Sequence, residues 1–393
     1  MSHSESHPST QSRYVFVFLE IFSSEGGIQS YVKDVLQGYT ALKHQPPVDV
    51  FLLRDSQDCD NPFESSPIFQ FHYLRGKSAK LDRIRLAIAL FLHLLKHRPQ
   101  QVFCGHVKLA PLVQMLCQPS GIPYTVFTYG KEVWAPLPSA TRRALQQAKA
   151  IWTISRYSRD QACVANQLDP QLFRVMPCMV DGDRFTPGTK SEGWIAKYGL
   201  AGATVLMTVA RLWSGDAYKG VDVTIQALPA IAQVFPKVKY LIIGRGDDQP
   251  RLAKLAADLG VSDRVVFAGF VATDDLVEHY RLADVYVMPS QEGFGIVYLE
   301  AMACGKPVLA GDADGSAEPL QDGKLGWRVP RRDPDAVAQA CIEILQELST
   351  AAVADPSDQT NPCRSNGIWL RQQAIASFGR DAFMNQLKQL FMS

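Results

Sequence analysis

Two cations and two carboxylates in the second half of the chain carry the most legible chemistry. Arg211 ends a β-type run over 204–210, and Lys219-Gly220 follows it across a short loop. In a doubly wound sheet, ligands bind beyond the carboxyl ends of the strands. A guanidinium and an ammonium meeting there would clamp a diphosphate and neutralise charge that grows on it as a bond to its oxygen breaks. Glu292-Gly293-Phe294-Gly295-Ile296, followed by Glu300, succeeds another strand-like run at 285–288. Glycines there bare backbone N–H groups at a helix start, which suit a phosphate or a sugar hydroxyl. Glu292 precedes that helix and Glu300 lies about two turns on, so both carboxylates can face one polyhydroxyl ligand. A weaker candidate is Gly26-Gly27, between the first strand and its helix, where the backbone can approach a phosphate closely. It is not GxGxxG, and glycines in such turns often serve packing alone.

These groups need strands and helices in alternation to bring them together. Strands are expected at 14–19, 48–53, 101–104, 124–128 and 150–153, with helices over 28–42 and 81–96. After an Asp-, Gly- and Pro-rich loop at 181–188, strands follow at 204–210, 240–243, 265–267 and 285–288. Helices are expected between them over 220–234, 249–259 and 274–282. This alternation predicts two doubly wound parallel sheets in series. The expected organisation is a disordered tail at 1–12, a first domain over 13–187 and a second over 188–366. A linker over 349–363 leads to a last helix, within 367–393, that crosses back to the first domain.

Composition removes several alternatives. At 393 residues, 47% hydrophobic and 20% charged, the chain suits two globular domains. A formal charge of +1 offers no global field for nucleic acid. The eight cysteines are scattered with no CxxC pair, the N-terminal run lacks a signal-peptide core, and no segment is long enough to span a bilayer. A cytoplasmic protein is expected. Lys77, Lys80, Arg83 and Arg85 precede the apolar run 86–95, and Lys96, His97 and Arg98 follow it. The favoured reading is an amphipathic core helix with solvated ends; the other is weak peripheral contact with the inner face of an anionic membrane.

Taken together, the spaced motifs resemble glycosyltransferase family 4, retaining enzymes of the GT-B fold. The likeness is densest in Val209-Ala210-Arg211-Leu212, Tyr218-Lys219-Gly220-Val221-Asp222, Ile243-Gly244-Arg245-Gly246-Asp247-Asp248, Phe267-Ala268-Gly269-Phe270 and residues 289–307. Gly311-Asp312-Ala313-Asp314-Gly315-Ser316 and Asp322-Gly323-Lys324-Leu325-Gly326 resemble a branch of mannosyl- and glucosyltransferases of envelope polysaccharides and glycolipids. The resemblance implies two Rossmann-like domains facing across a cleft, acceptor in the first and nucleotide sugar in the second. It implies that Arg211 and Lys219 hold the donor diphosphate, Glu292 the donor sugar and Glu300 the ribose. The backbone of Phe294, Gly295 and Ile296, with Gly293, would hold sugar and phosphate, and Phe270 and Val271 would sit by the base. Gly244 belongs to the same donor set, and Gly26 and Gly27 would lie over the diphosphate. Asp181-Gly182-Asp183 looks like a metal-binding DxD but matches the family's interdomain loop, so no metal and no cofactor are expected. GDP-mannose is the first donor expected and UDP-glucose the second, with a glycan or lipid-linked acceptor.

One motif departs from that pattern. Where the family commonly has His-Gly-x-Glu/Asp on the acceptor side, this chain has Tyr129-Gly130-Lys131-Glu132. The pocket imidazole is missing unless His106 replaces it. Tyr129 is expected to position a sugar or acceptor hydroxyl rather than to take its proton, because a phenol is a poor base at neutral pH. Competing readings are a GT-B phosphorylase or nucleotide-sugar epimerase, and a nucleotide-sugar-binding protein without transferase activity. The chain is far too short for the phosphorylase.

Overall fold

The computed structural model describes residues 13–351 and 363–392. The expected tail at 1–12 and most of the expected linker lie outside them. The described chain divides into two compact units, one running to Met176 and resuming at Met384, the other spanning Pro177–Phe383. The division falls earlier than the boundary expected after residue 187.

The first unit contains β1 (Tyr14–Phe18), α1 (Gly27–Ala41), β2 (Val48–Leu52), β3 (Phe69–Tyr73), α2 (Ala79–His97), β4 (Gln101–Cys104), α3 (Ala110–Cys117), β5 (Tyr124–Thr128), α4 (Ser139–Gln146), β6 (Ala150–Thr153), α5 (Arg156–Asn166) and β7 (Phe173–Val175). Its seven strands run in the order β3-β2-β1-β4-β5-β6-β7, every pairing parallel. Strands buried on both faces need continuous apolar runs, and Val15, Phe16 and Val17 are fully buried accordingly. β3 and β7 were not expected. Gln70 and His72 break the apolar run of the one, and the other is only three residues long.

The second unit contains α6 (Glu192–Tyr198), β8 (Thr204–Val209), α7 (Val221–Val234), β9 (Val238–Ile243), α8 (Gln249–Asp258), β10 (Val265–Gly269), α9 (Leu276–Leu282), β11 (Val285–Met288), α10 (Ile296–Ala303), β12 (Val308–Gly311), β13 (Trp327–Val329), α11 (Pro334–Ala351) and α12 (Gly367–Phe378). Its six strands run β10-β9-β8-β11-β12-β13, again all parallel. Strand order reverses between β8 and β11, which leaves a crevice beyond their carboxyl ends.

The single terminal helix expected is two. Asn366 caps α12 by accepting the N–H groups of Ile368 and Trp369, and Gly379 ends it with extended backbone before α13 (Arg380–Met392) begins. The passage back to the first unit therefore occurs inside α13. There Leu387 is fully buried, Gln386 donates to the Val175 carbonyl, and Phe391 enters an aromatic cluster with Tyr39 at 4.9 Å, Phe103 at 5.1 Å and Trp152 at 5.3 Å.

Candidate active site

The sheet reversal assembles the second unit's site. The loop leaving β8 carries Arg211 and turns through a 3-10 segment at Ser214–Lys219, while the loop leaving β11 carries Glu292. Lys219 Nζ donates to Glu292 Oε1 across the gap, both side chains less than a fifth exposed. The Gln291 N–H donates to the Tyr218 carbonyl at 3.0 Å and ties the loops together. Arg211 lays its guanidinium 4.6 Å from the centre of the Trp213 ring, a stacking that orients the fork. Arg211, Trp213, Lys219, Asp222, Asp248 and Arg251 line a shallow, open depression.

Asp314 holds the Glu292 loop in place. One carboxylate oxygen accepts the Glu292 N–H at 2.7 Å and the other the Ser316 N–H at 2.9 Å. The Gly315 N–H returns a bond to the Glu292 carbonyl at 2.8 Å. A Cβ on Gly315 would stand 2.0 Å from the Gly293 carbonyl oxygen, so only glycine permits this clasp. Burial raises the Asp314 carboxyl to about 6 despite the three hydrogen bonds that favour its charge. Asp314 was quoted in the sequence only as part of a resemblance; nothing in its spacing announced that it braces Glu292.

Glu300 lies on α10 and accepts a hydrogen bond from the Tyr280 hydroxyl at 2.6 Å. Burial raises its pKa. Tyr280 belongs to α9, had no sequence signal, and packs near Tyr286 in the core. Phe294 is 2% exposed and meets Phe378, so its ring is core and only its backbone can face a ligand. Gly295 caps α10 and Ile296 is its first residue. Phe270 follows β10, with Val271 next to it, and stays 59% exposed with the Arg245 guanidinium 4.8 Å from its ring centre. Gly244 has a packing explanation: with φ at +137°, a Cβ would lie 1.8 Å from the Ala210 carbonyl oxygen.

In the first unit the loops after β1, β4 and β5 hold the remaining candidates. Asp55 is fully buried and accepts the N–H groups of Ile21, Phe22 and Ser23 at 2.7–3.1 Å, which shapes the loop leading to Gly26 and Gly27. Nothing in its sequence context marked it. Gly26 caps α1; a Cβ on Gly27 would meet nothing within 4 Å, so packing does not require glycine there. His106 accepts the Lys108 N–H through Nδ1 at 3.1 Å, and burial lowers its pKa to about 4. It is neutral near pH 7, with its lone pair engaged. The Tyr129 hydroxyl donates to the Gly105 carbonyl at 2.7 Å and the residue is 7% exposed, so that proton is already committed. Glu132 accepts the Tyr129 N–H, a turn-closing role. Asp181 likewise accepts the N–H groups of Asp183 and Arg184.

The family model "Glycosyl transferases group 1" matches residues 203–347. A GDP-mannose-dependent alpha-(1-6)-phosphatidylinositol monomannoside mannosyltransferase of Mycolicibacterium smegmatis is 35% identical over 343 residues, 83% of this chain and 87% of that protein. A D-inositol 3-phosphate glycosyltransferase of Geodermatophilus obscurus is 31% identical over 363 residues, 83% of this chain and 79% of that protein. Among solved structures, HepE of Anabaena in complex with UDP aligns with a TM-score of 0.75 at 19% identity, covering 97% of this chain and 99% of that one. Sucrose-phosphate synthase of Thermosynechococcus elongatus aligns with a TM-score of 0.74 at 22% identity, covering 97% and 98%. The parallel sheets are those of the GT-B fold, and the chain belongs to the group 1 glycosyltransferases, glycosyltransferase family 4.

Proposed function

We propose that this chain is a retaining hexosyltransferase that moves mannose from GDP-mannose to a lipid-linked or glycan acceptor, with UDP-glucose the second choice of donor. The observation that carries this reading is the Lys219–Glu292 pair beside Arg211 at the reversal of the second sheet. The name of the Mycolicibacterium relative, which specifies GDP-mannose and a phosphatidylinositol mannoside, supports mannose and a glycolipid acceptor. In the transfer, the bond from the anomeric carbon to the phosphate oxygen breaks and its electron pair stays on the diphosphate. The acceptor oxygen bonds the same carbon on the same face, and its proton passes to the leaving phosphate oxygen. Arg211 and Lys219 stabilise the charge that collects there. Glu292 accepts a hydrogen bond from a sugar hydroxyl, Glu300 from the ribose, and Phe270 stacks on the base. No metal takes part. Thermal shift with a panel of nucleotide sugars tests the donor: GDP-mannose should raise the melting point most and support transfer. A chain that none of them stabilises, or that only hydrolyses them, would sink the reading.

The peripheral contact has its own support. α2 buries Leu86, Leu90 and Leu94, yet Leu81, Ile84, Ile88, Phe91, Leu92 and Leu95 remain 46–57% exposed. At about 100° per residue, these six form a second apolar stripe opposite the buried one. Lys80 flanks it on one side, Arg85 and Lys96 on the other. A core helix with solvated ends would not carry such a stripe. The cationic border fits anionic lipid, and no helix among the described residues is long and apolar enough to cross a membrane. The protein should co-sediment with vesicles containing phosphatidylinositol, and Ile88→Glu/Leu92→Glu should stay in the supernatant. Absence of the unsubstituted protein from the pellet would refute the contact.

A further inference from the structure

The first unit holds a cluster that the transfer chemistry does not use. Asp49 of β2, His72 of β3 and His93 of α2 bring a carboxylate oxygen and two imidazole nitrogens within 4.8 Å of one another. His72 Nε2 lies 2.8 Å from Asp49 Oδ1, and His93 Nε2 lies 3.4 Å from Oδ2. The His93 side chain is only 9% exposed, and its Nε2 has no hydrogen-bond partner of acceptable geometry. A buried polar atom left in that state is costly, and something that uses its lone pair would relieve it.

We propose that Asp49, His72 and His93 bind one divalent ion of the Zn²⁺ class, a site with no part in sugar transfer. Two imidazoles and one carboxylate suit Zn²⁺ and its transition-metal neighbours, not Mg²⁺ or Ca²⁺, which take oxygen ligands. Ligand atoms about 2.0–2.1 Å from a tetrahedral ion stand roughly 3.3 Å apart. The two imidazoles approach different Asp49 oxygens, and for a single ligating oxygen the longest separation, within 4.8 Å, must close by at most about 1.5 Å. His72 is 29% exposed on the sheet's edge strand, where it can move and where water can supply the fourth ligand. The rings are guided by Phe51, which stacks on His72 at 4.5 Å and meets His93 edge-on at 5.3 Å. Arg13 also pairs with Asp49. It orients the carboxylate, as partners of ligating groups commonly do, but its charge opposes the ion.

The test is Zn²⁺ titration by calorimetry and thermal shift on tag-free, chelator-stripped protein in which His3 and His7 are replaced by Ala to remove the N-terminal imidazoles. One ion per chain should bind and raise the melting point, with no response to Mg²⁺. His93→Ala should weaken binding by about tenfold or more. His72→Ala should do the same, and its partly exposed position keeps the test available if His93→Ala fails to fold. Arg13→Gln should bind more tightly. Absence of stoichiometric uptake, an equal response to Mg²⁺, or full affinity in the folded histidine variants would overturn the proposal. None of these outcomes depends on transferase activity.

Discussion

Removing Lys219 separates two consequences of one ion pair. Lys219→Ala takes the ammonium from the departing diphosphate and leaves the Glu292 carboxylate, with its side chain 15% exposed, without that cation. Loss of one donor to developing charge costs about 10²–10³ in turnover, or about 2.7–4 kcal/mol. The orphaned carboxylate has a stability cost between that of an exposed pair, ~0–1 kcal/mol, and that of breaking a buried one, ~3–5 kcal/mol. Roughly 1–3 kcal/mol for this largely sheltered pair corresponds to a melting-point drop of roughly 2–12 °C in a unit of this size. Adding Glu292→Gln to Lys219→Met removes both charges and should restore most of the melting point while leaving turnover low. Nucleoside diphosphate release at saturating donor and 25 °C, beside calorimetric melting, reads both quantities. Near-normal turnover in Lys219→Ala would remove the clamp from the mechanism. Recovery of turnover in the double variant would show that the loss came from the stranded carboxylate.

Tyr129→Phe should cost about 1 kcal/mol of stability, for the bond to Gly105, and change turnover little; a loss of turnover near 10²-fold would return the hydroxyl to the chemistry. His106→Ala should leave the pH–rate profile without the loss of an imidazole step, because that ring is neutral throughout the working range; disappearance of a step near pH 6–7 would make it the base. The Asp314 carboxyl is raised from 3.8 to about 6, so its folded state prefers the proton. That contribution to stability is present below about pH 3.8 and is lost as pH rises through about 6, amounting to about 3 kcal/mol. Melting points of the unsubstituted protein and Asp314→Asn across pH 4–7 should diverge accordingly, and parallel curves would refute the assignment. Transfer should persist in excess chelator even if the Asp49 site is stripped; a strict need for added Mg²⁺ or Mn²⁺ would overturn metal-free transfer.

Most strands were legible because a parallel strand buried on both faces is an apolar run with sharp ends, as at Val285–Met288. The edge strand β3 escaped because Gln70 and His72 interrupt that run, and α12 and α13 merged in the sequence because the break rests on one glycine, Gly379. Arg211, Lys219 and Glu292 stood out as candidates because they follow strand ends, where ligands of doubly wound sheets sit. Asp55, Tyr280 and Asp314 could not, since each acts through a partner far along the chain that only folding brings near. α2 was legible only in part. Its hydrophobicity was visible, but two opposite apolar stripes look like one rich core helix until burial tells them apart.

The helix shared between units also dictates an order of assembly. Phe391 fills the cluster of Tyr14, Phe16, Tyr39, Phe103 and Trp152, yet it leaves the ribosome after every residue of the second unit. Until α13 emerges, the first sheet therefore waits with its aromatic centre incomplete, and the nascent chain is exposed to sticking and to chaperones. A fragment ending at Met176 would keep that unfinished surface permanently, so the first unit would be expressed alone only if the final helix were rejoined to it through a linker.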